Sequence, residues 1–405
     1  MLGRLPATAQ TVAVPYAPNA TKAGRAKEYQ YLLNKSIKAN IQLPLTTDTE
    51  DNWQEAFDAM TLLNYRTPFA EARIRTAMDS AAYRSTAFQR SILQLVYSLY
   101  PKEFVTPVLA MVKLTNDPKL FAMCSEYLFL NNQAATYKPI LLKRMEEMQQ
   151  QAGAATEIPF FTVLLNKLSG TAPKRPPVAD LLKPDFLPGE MVVYSFQRKN
   201  RNYPGLVMVR GRDGKMIREA NKYFAVPQLA RSNTNMPGYI SNGNTPQGIF
   251  KIFGFAVSQS SFIGPTTNIQ MVLPYEHSMD VSDTVTSLLG DNYRFMLPHS
   301  WKFYAPVFEA YYAGKAGRTE IIAHGTTVNP DYYKKQPYYP ISPTQGCLCT
   351  KEIWSIMDGK RLESDQQKLV NAVRKAGGAD GYCIVIEIDD LQKPVSKSDI
   401  LPFLK

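Results

Sequence analysis

The chain has 405 residues, 45% hydrophobic and 20% charged, a balance that suits two or three ordinary globular domains and excludes a disordered or fibrous protein. No run approaches the roughly 18 uninterrupted apolar residues of a membrane-spanning helix, so no transmembrane segment is expected. The net charge of +11 is spread along the whole chain and reads as a solvated basic surface, with attraction to a polyanion as the alternative; no nucleic-acid-binding signature accompanies it, and nucleic acid is not an expected partner.

At the N-terminus, Ala7-x-Ala9 fits the small-residue rule for signal-peptide cleavage, with the cut before Gln10, although the apolar run that should precede it is missing. The expectation is export to the periplasm or cell envelope, with the leader truncated. Residues 1–48 read as this remnant and a flexible lead-in with at most one short helix. Residues 49–170 read as an all-α array of six or seven helices. Ile92, Leu95, Val96 and Leu99 form one amphipathic stripe, and Asp117-Pro118 is a helix start. Residues 171–188 are dense in proline and read as a semi-rigid linker.

From 189 to 405 the period changes to that of strands. Met191–Phe196, Gly205–Arg210, Ile249–Phe253, Glu320–Ala323 and Tyr382–Ile388 are strand candidates, with a hairpin turn at Gly211–Gly214. Helices are predicted over 351–359 and over 364–376, the second ending at Gly377-Gly378. The fold class is therefore α+β and multidomain: a helical array followed by a mainly β domain.

Four cysteines are too few for a disulfide scaffold, and with three histidines a zinc site would need an unusual ligand set, so neither metal nor cofactor is expected. Two segments carry chemistry: Ile321–Thr327, a strand ending in His324-Gly325, and Ser342–Cys349, with Gly346 before Cys347. A histidine and a glycine-preceded cysteine suit a nucleophile and its base. A helix opening at Cys347 and a nearby imidazole would favour the thiolate, and Gly346 would let backbone amides converge on an oxyanion.

At these residues the sequence resembles the L,D-transpeptidase (YkuD-like) catalytic domain over about residues 190–390. His324-Gly325, Thr344-Gln345-Gly346-Cys347-Leu348 and the upstream Thr245-Pro246-Gln247-Gly248-Ile249-Phe250 match its three motifs in order. The resemblance implies a cysteine-dependent peptidyl transferase acting on peptidoglycan stem peptides. Cys347 would attack the carbonyl of the third residue, expel the terminal D-alanine and pass the acyl group to an amine. It further implies that His324 is the base, that the Gly325 carbonyl orients it, that the amides of Gln345, Gly346 and Cys347 form the oxyanion hole, and that Thr344 and Thr326 lie on the substrate side. Gln345 stands where the family usually has histidine, and Cys349 where it usually has asparagine or arginine.

Hydrolysis of the same acyl-enzyme, as in an L,D-carboxypeptidase or amidase, is the first alternative. A weakly catalytic wall-binding module, with the helical half docking a protein partner, is the second. The tyrosine-rich loop after His324 reads as a substrate-facing flap, and Trp301 and Tyr304 as core rather than acyl pocket. Cys124 and Cys383 read as buried and inert, Cys349 as packing beneath the nucleophile loop, and His277 and His299 as outside the chemistry.

Overall fold

A computed structural model describes residues 14–130, 134–170 and 173–404. The signal-peptide-like Ala7-x-Ala9 lies outside them. The lead-in differs from expectation. Helix α1 (Lys22–Tyr31) runs through a π-helical stretch, Leu32–Ala39, into α2 (Asn40–Gln42), burying Ile37 and Ile41 in the main core. The π stretch widens the repeat beyond 3.6 residues, which hides the apolar stripe from a periodicity reading.

Seven helices follow among the described residues: α3 (Glu50–Leu63), α4 (Pro68–Ser80), α5 (Thr86–Leu99), α6 (Val105–Leu114), α7 (Pro118–Phe129), α8 (Ala134–Ala152) and α9 (Pro159–Leu168). The expected α5 stripe is buried throughout. Asp117 caps α7 by accepting from the Lys119 and Leu120 amides, with Pro118 at the first turn. α3 packs on α5, α5 on α7, and α7 on α6, α8 and α9.

The strands are β1 (Met191–Arg198), β2 (Gly205–Arg210), β3 (Arg218–Glu219), β4 (Lys222–Tyr223), β5 (Val226–Gln228), β6 (Gly248–Ala256), β7 (Asn268–Val272), β8 (Ala323–His324), β9 (Leu348–Cys349), β10 (Glu352–Trp354), β11 (Arg361–Ser364) and β12 (Gly381–Asp389). Eight of them form one mixed sheet in the order β5-β2-β1-β12-β6-β7-β8-β9. β1 is parallel to β12 and β8 to β9; the other neighbours are antiparallel. Every residue of β1 is buried, because both sheet faces are covered. Val193, Phe250 and Cys383 belong to the core shared with the helical array and with α10 (Asp365–Lys375); Val192, Tyr194 and Ile384 face the other cluster.

Two further expectations are corrected. Residues 173–188 are no free spacer: Val178, Leu181 and Phe186 are buried against the sheet, and Arg210 holds the Lys183, Phe186 and Leu187 carbonyls. Its apolar residues outweigh its prolines once a sheet face is there to receive them. Residues 351–359 are not a helix. β10 pairs with β11 as a hairpin, and cross-strand partners such as Ser364 on Glu352 override the local preference. α10 forms as predicted, capped by the Ser364 hydroxyl.

Candidate active site

β8 and β9 lie side by side and in parallel, with Ala323 opposite Leu348 and His324 opposite Cys349. Side chains alternate along a strand, so Ala323 and Leu348 enter the core while Ile322, His324, Cys347 and Cys349 share the opposite face. The pairing brings the two sequence-predicted residues to neighbouring stretches of chain, offset by two residues: His324 lies opposite Cys349, and Cys347, just before β9, falls level with Ile322. Among the described residues they do not hydrogen-bond: the Cys347 thiol accepts from the Ile322 amide at 3.5 Å and lies 3.5 Å from the Glu320 carbonyl.

His324 is buried, and its Nδ1 bonds the Gly325 carbonyl. A carbonyl oxygen only accepts, so Nδ1 carries the proton and neutral Nε2 is left as the basic nitrogen. Burial drives the imidazole pKa down to about 4, opposed by the Gly325 carbonyl; at neutral pH the ring is therefore uncharged and able to take a proton.

Cys347 does not open a helix. The chain passes from it directly into β9, so no helix N-terminus supports the thiolate. A buried cation stands there instead. Arg318 donates to the backbone carbonyls of Gly238, Ile240, Asn244 and Gly243, and has no carboxylate ion pair among the described residues. A Cβ placed on Gly346 would lie 2.1 Å from its Nη2. Desolvation raises the Cys347 thiol pKa, while the Ile322 amide and Arg318 pull it down. Burial also lowers the Arg318 pKa, to about 10, which leaves it cationic at neutral pH.

The nucleophile turn is held from within. Gly346 takes φ +118°, outside the range of L side chains. Its amide donates to the Thr344 hydroxyl at 2.9 Å, and that hydroxyl donates to the Cys347 carbonyl at 3.0 Å. The Gly346 amide is thus committed to the turn. Among the described residues no protein acceptor takes the Gln345 or Cys347 amide, which leaves these two of the three expected oxyanion donors. Thr344 is a clamp, as is Thr326, whose hydroxyl joins the Phe262 carbonyl to the Val328 amide. Gln345 is exposed.

The upstream motif backs this turn: Thr245 donates to the Gly346 carbonyl at 2.8 Å, and Gly248, at φ +136°, leaves room for the Tyr293 hydroxyl. The tyrosine-rich loop is not a flap. Tyr333 and Tyr338 are buried with Cys349, and the Tyr333 hydroxyl reaches the Leu62 carbonyl of the helical array. Cys124 and Cys383 are buried, His277 and His299 are exposed, and Trp301 is core, donating to the Pro177 carbonyl.

Sequence reasoning missed Arg318 and the buried Glu352. Arg318 is one of 46 Lys and Arg residues, and no local spacing sets it apart. It also missed a cleft of about 680 Å³ between the two halves, lined by Tyr97, Glu126, Lys167, Thr245 and Glu309 among others. Neither Cys347 nor His324 lines that cleft. No protein-family model, curated protein or solved structure matches this chain.

Proposed function

We propose that this protein is a cysteine acyltransferase of the L,D-transpeptidase type, acting on peptidoglycan stem peptides in the cell envelope. The observation that carries this reading is the pairing of β8 with β9. It puts a partly exposed thiol, flanked by a buried guanidinium, on the same sheet face as an uncharged imidazole two residues out of register with it, whose Nδ1–H is tied to a main-chain carbonyl. The carbonyl takes the orienting place that a carboxylate fills in other nucleophile–base–orienter sets.

In this reaction His324 Nε2 takes the thiol proton as Sγ bonds to the carbonyl carbon of the third stem residue. The oxyanion meets the Gln345 and Cys347 amides. The imidazolium returns the proton to the departing D-alanine amine, leaving a thioester. An acceptor amine then attacks the thioester, transfers its proton to His324, and the released sulfur recovers it. The three sequence motifs, in family order, support the substrate class.

The test is incubation with a tetrapeptide muropeptide, read by mass spectrometry. Loss of D-alanine with a cross-linked product is the expected result, and His324→Ala should slow acylation by about a hundredfold or more, the usual scale for a general base. Hydrolysed tripeptide without a cross-link would make water the acceptor. Absence of any acyl-enzyme would refute the proposal.

A further inference from the structure

Glu352 is a buried carboxylate against Gly325, the residue after His324, that the chemistry above leaves unused. It opens β10, opposite Ser364 of β11, whose hydroxyl donates to Oε1 at 2.6 Å. Oε2 is enclosed beside the Thr326 amide and the Thr266 hydroxyl, without a well-formed hydrogen bond. Among the described residues Glu352 makes no ion pair. The other titratable or charged groups around it are Arg361 on β11 and Cys349 on β9.

What the carboxyl group touches is Gly325. A Cβ built there would lie 2.2 Å from both Glu352 Cδ and Oε2, so only glycine lets the two meet. The chain around Glu352 grips the backbone on either side: the Thr350 amide, just before β10, donates to the His324 carbonyl at 3.0 Å, and Trp354 Nε1 donates to the Thr326 carbonyl at 2.8 Å.

The carbonyl and N–H of a trans peptide point in opposite directions. The Gly325–Thr326 peptide turns its carbonyl to His324 Nδ1 and its amide toward Glu352. We infer that Glu352 is a positioning residue for His324, acting through this peptide as the anionic member of a Cys347–His324–peptide–Glu352 chain. A negative charge at the amide end polarises the peptide and makes its carbonyl a better acceptor. The imidazolium formed when His324 takes the thiol proton is then met by a carboxylate one peptide away. The carboxylate itself takes no proton: the thiol proton stays on Nε2 and the Nδ1 proton on Nδ1. This inference rests on the acyl-transfer reading of the site.

The carboxyl is poised to report on itself, because burial lifts its pKa to about 7. Wild type and Glu352→Gln would be compared for acylation by a carbapenem, followed by intact mass across pH. Taking the ratio of the two rates cancels thiol ionisation, which both share. The ratio is expected near one at about pH 5.5, where Glu352 is protonated, rising to about tenfold at about pH 8.5, a fraction of what a general base contributes. A pH-independent ratio, whether unity or a uniform slowing from a loosened hairpin, overturns the inference.

In a His324→Ala background the Glu352→Gln effect should vanish, and a persisting effect overturns the inference equally. If His324→Ala itself acylates as fast as wild type, the base assignment is what fails. A variant-free readout covers the case in which Glu352→Gln does not fold. The His324 Nδ1 chemical shift of the wild-type protein should move with a midpoint near pH 7, and a flat shift over that range counts against the inference.

Discussion

Gly346→Ala tests whether the nucleophile turn is as tightly determined as its geometry implies. The alanine would have to hold φ near +118°, a region that costs an L residue of order 1–3 kcal/mol. Its Cβ would also fall 2.1 Å from Arg318 Nη2 and 2.5 Å from the Gly243 carbonyl oxygen. Those two atoms are bonded to each other at 2.7 Å, so the methyl group wedges into a hydrogen bond from a buried cation. Losing such a bond costs roughly 1.5–3 kcal/mol. Together the penalties reach about 2.5–6 kcal/mol, and the cheapest relief is displacement of residues 344–348 away from Arg318. A shift of about 1 Å in a reacting atom is worth about a hundredfold in rate. The assay is carbapenem acylation by intact mass alongside a thermal melt. Acylation should fall by about a hundredfold with a melting temperature lower by a few degrees. A variant that melts with wild type and acylates within about threefold of it would refute the reasoning.

Carbapenem adducts mapped by peptide mass should fall on Cys347 alone; burial raises the pKa of the Cys124, Cys349 and Cys383 thiols and keeps reagent from them, and an adduct on Cys349 with Cys347 free would reverse the assignment. Arg318→Gln should raise the Cys347 thiol pKa through loss of a nearby positive charge, read from the pH dependence of iodoacetamide labelling; an unmoved inflection removes Arg318 from the thiol's surroundings. His324 binds its proton only near pH 4 when folded but near 6.5 when unfolded, so its contribution holds above the unfolded pKa and declines as pH falls toward 4, by roughly 3 kcal/mol in all. His324→Phe, which has no proton to bind, should lessen that acid-side loss in denaturant titrations at pH 7 and pH 4.5, and an identical loss in both proteins would contradict the burial argument. Glu352 has the opposite sign: its folded pKa is raised, so its contribution is full below the unfolded value of 4.5 and is lost as pH rises to about 7, and Glu352→Gln should melt furthest above wild type at pH 8.5 and converge with it as pH falls below 4.5.

The sequence determined what repeats locally or stands in short motifs. The stripe Ile92-Leu95-Val96-Leu99 specified a buried helix face, because one period generates one face. Asp117-Pro118 specified a cap, because its partners are the next two amides. His324-Gly325 carried its own orienter, since the carbonyl lies one residue along the chain. Tertiary structure decided whatever depended on partners distant in sequence. It replaced the expected helix after Cys347 with strand β9, because an edge position beside β8 was waiting for it. It turned the apolar residues of 173–188 into packing on the sheet and the tyrosine loop into a buried wedge against the helical array. It brought Arg318 to Gly346 across 28 residues and Glu352 to Gly325 across 27. No periodicity encodes such meetings, because they are fixed by backbone carbonyls and sheet register that exist only once the chain has folded.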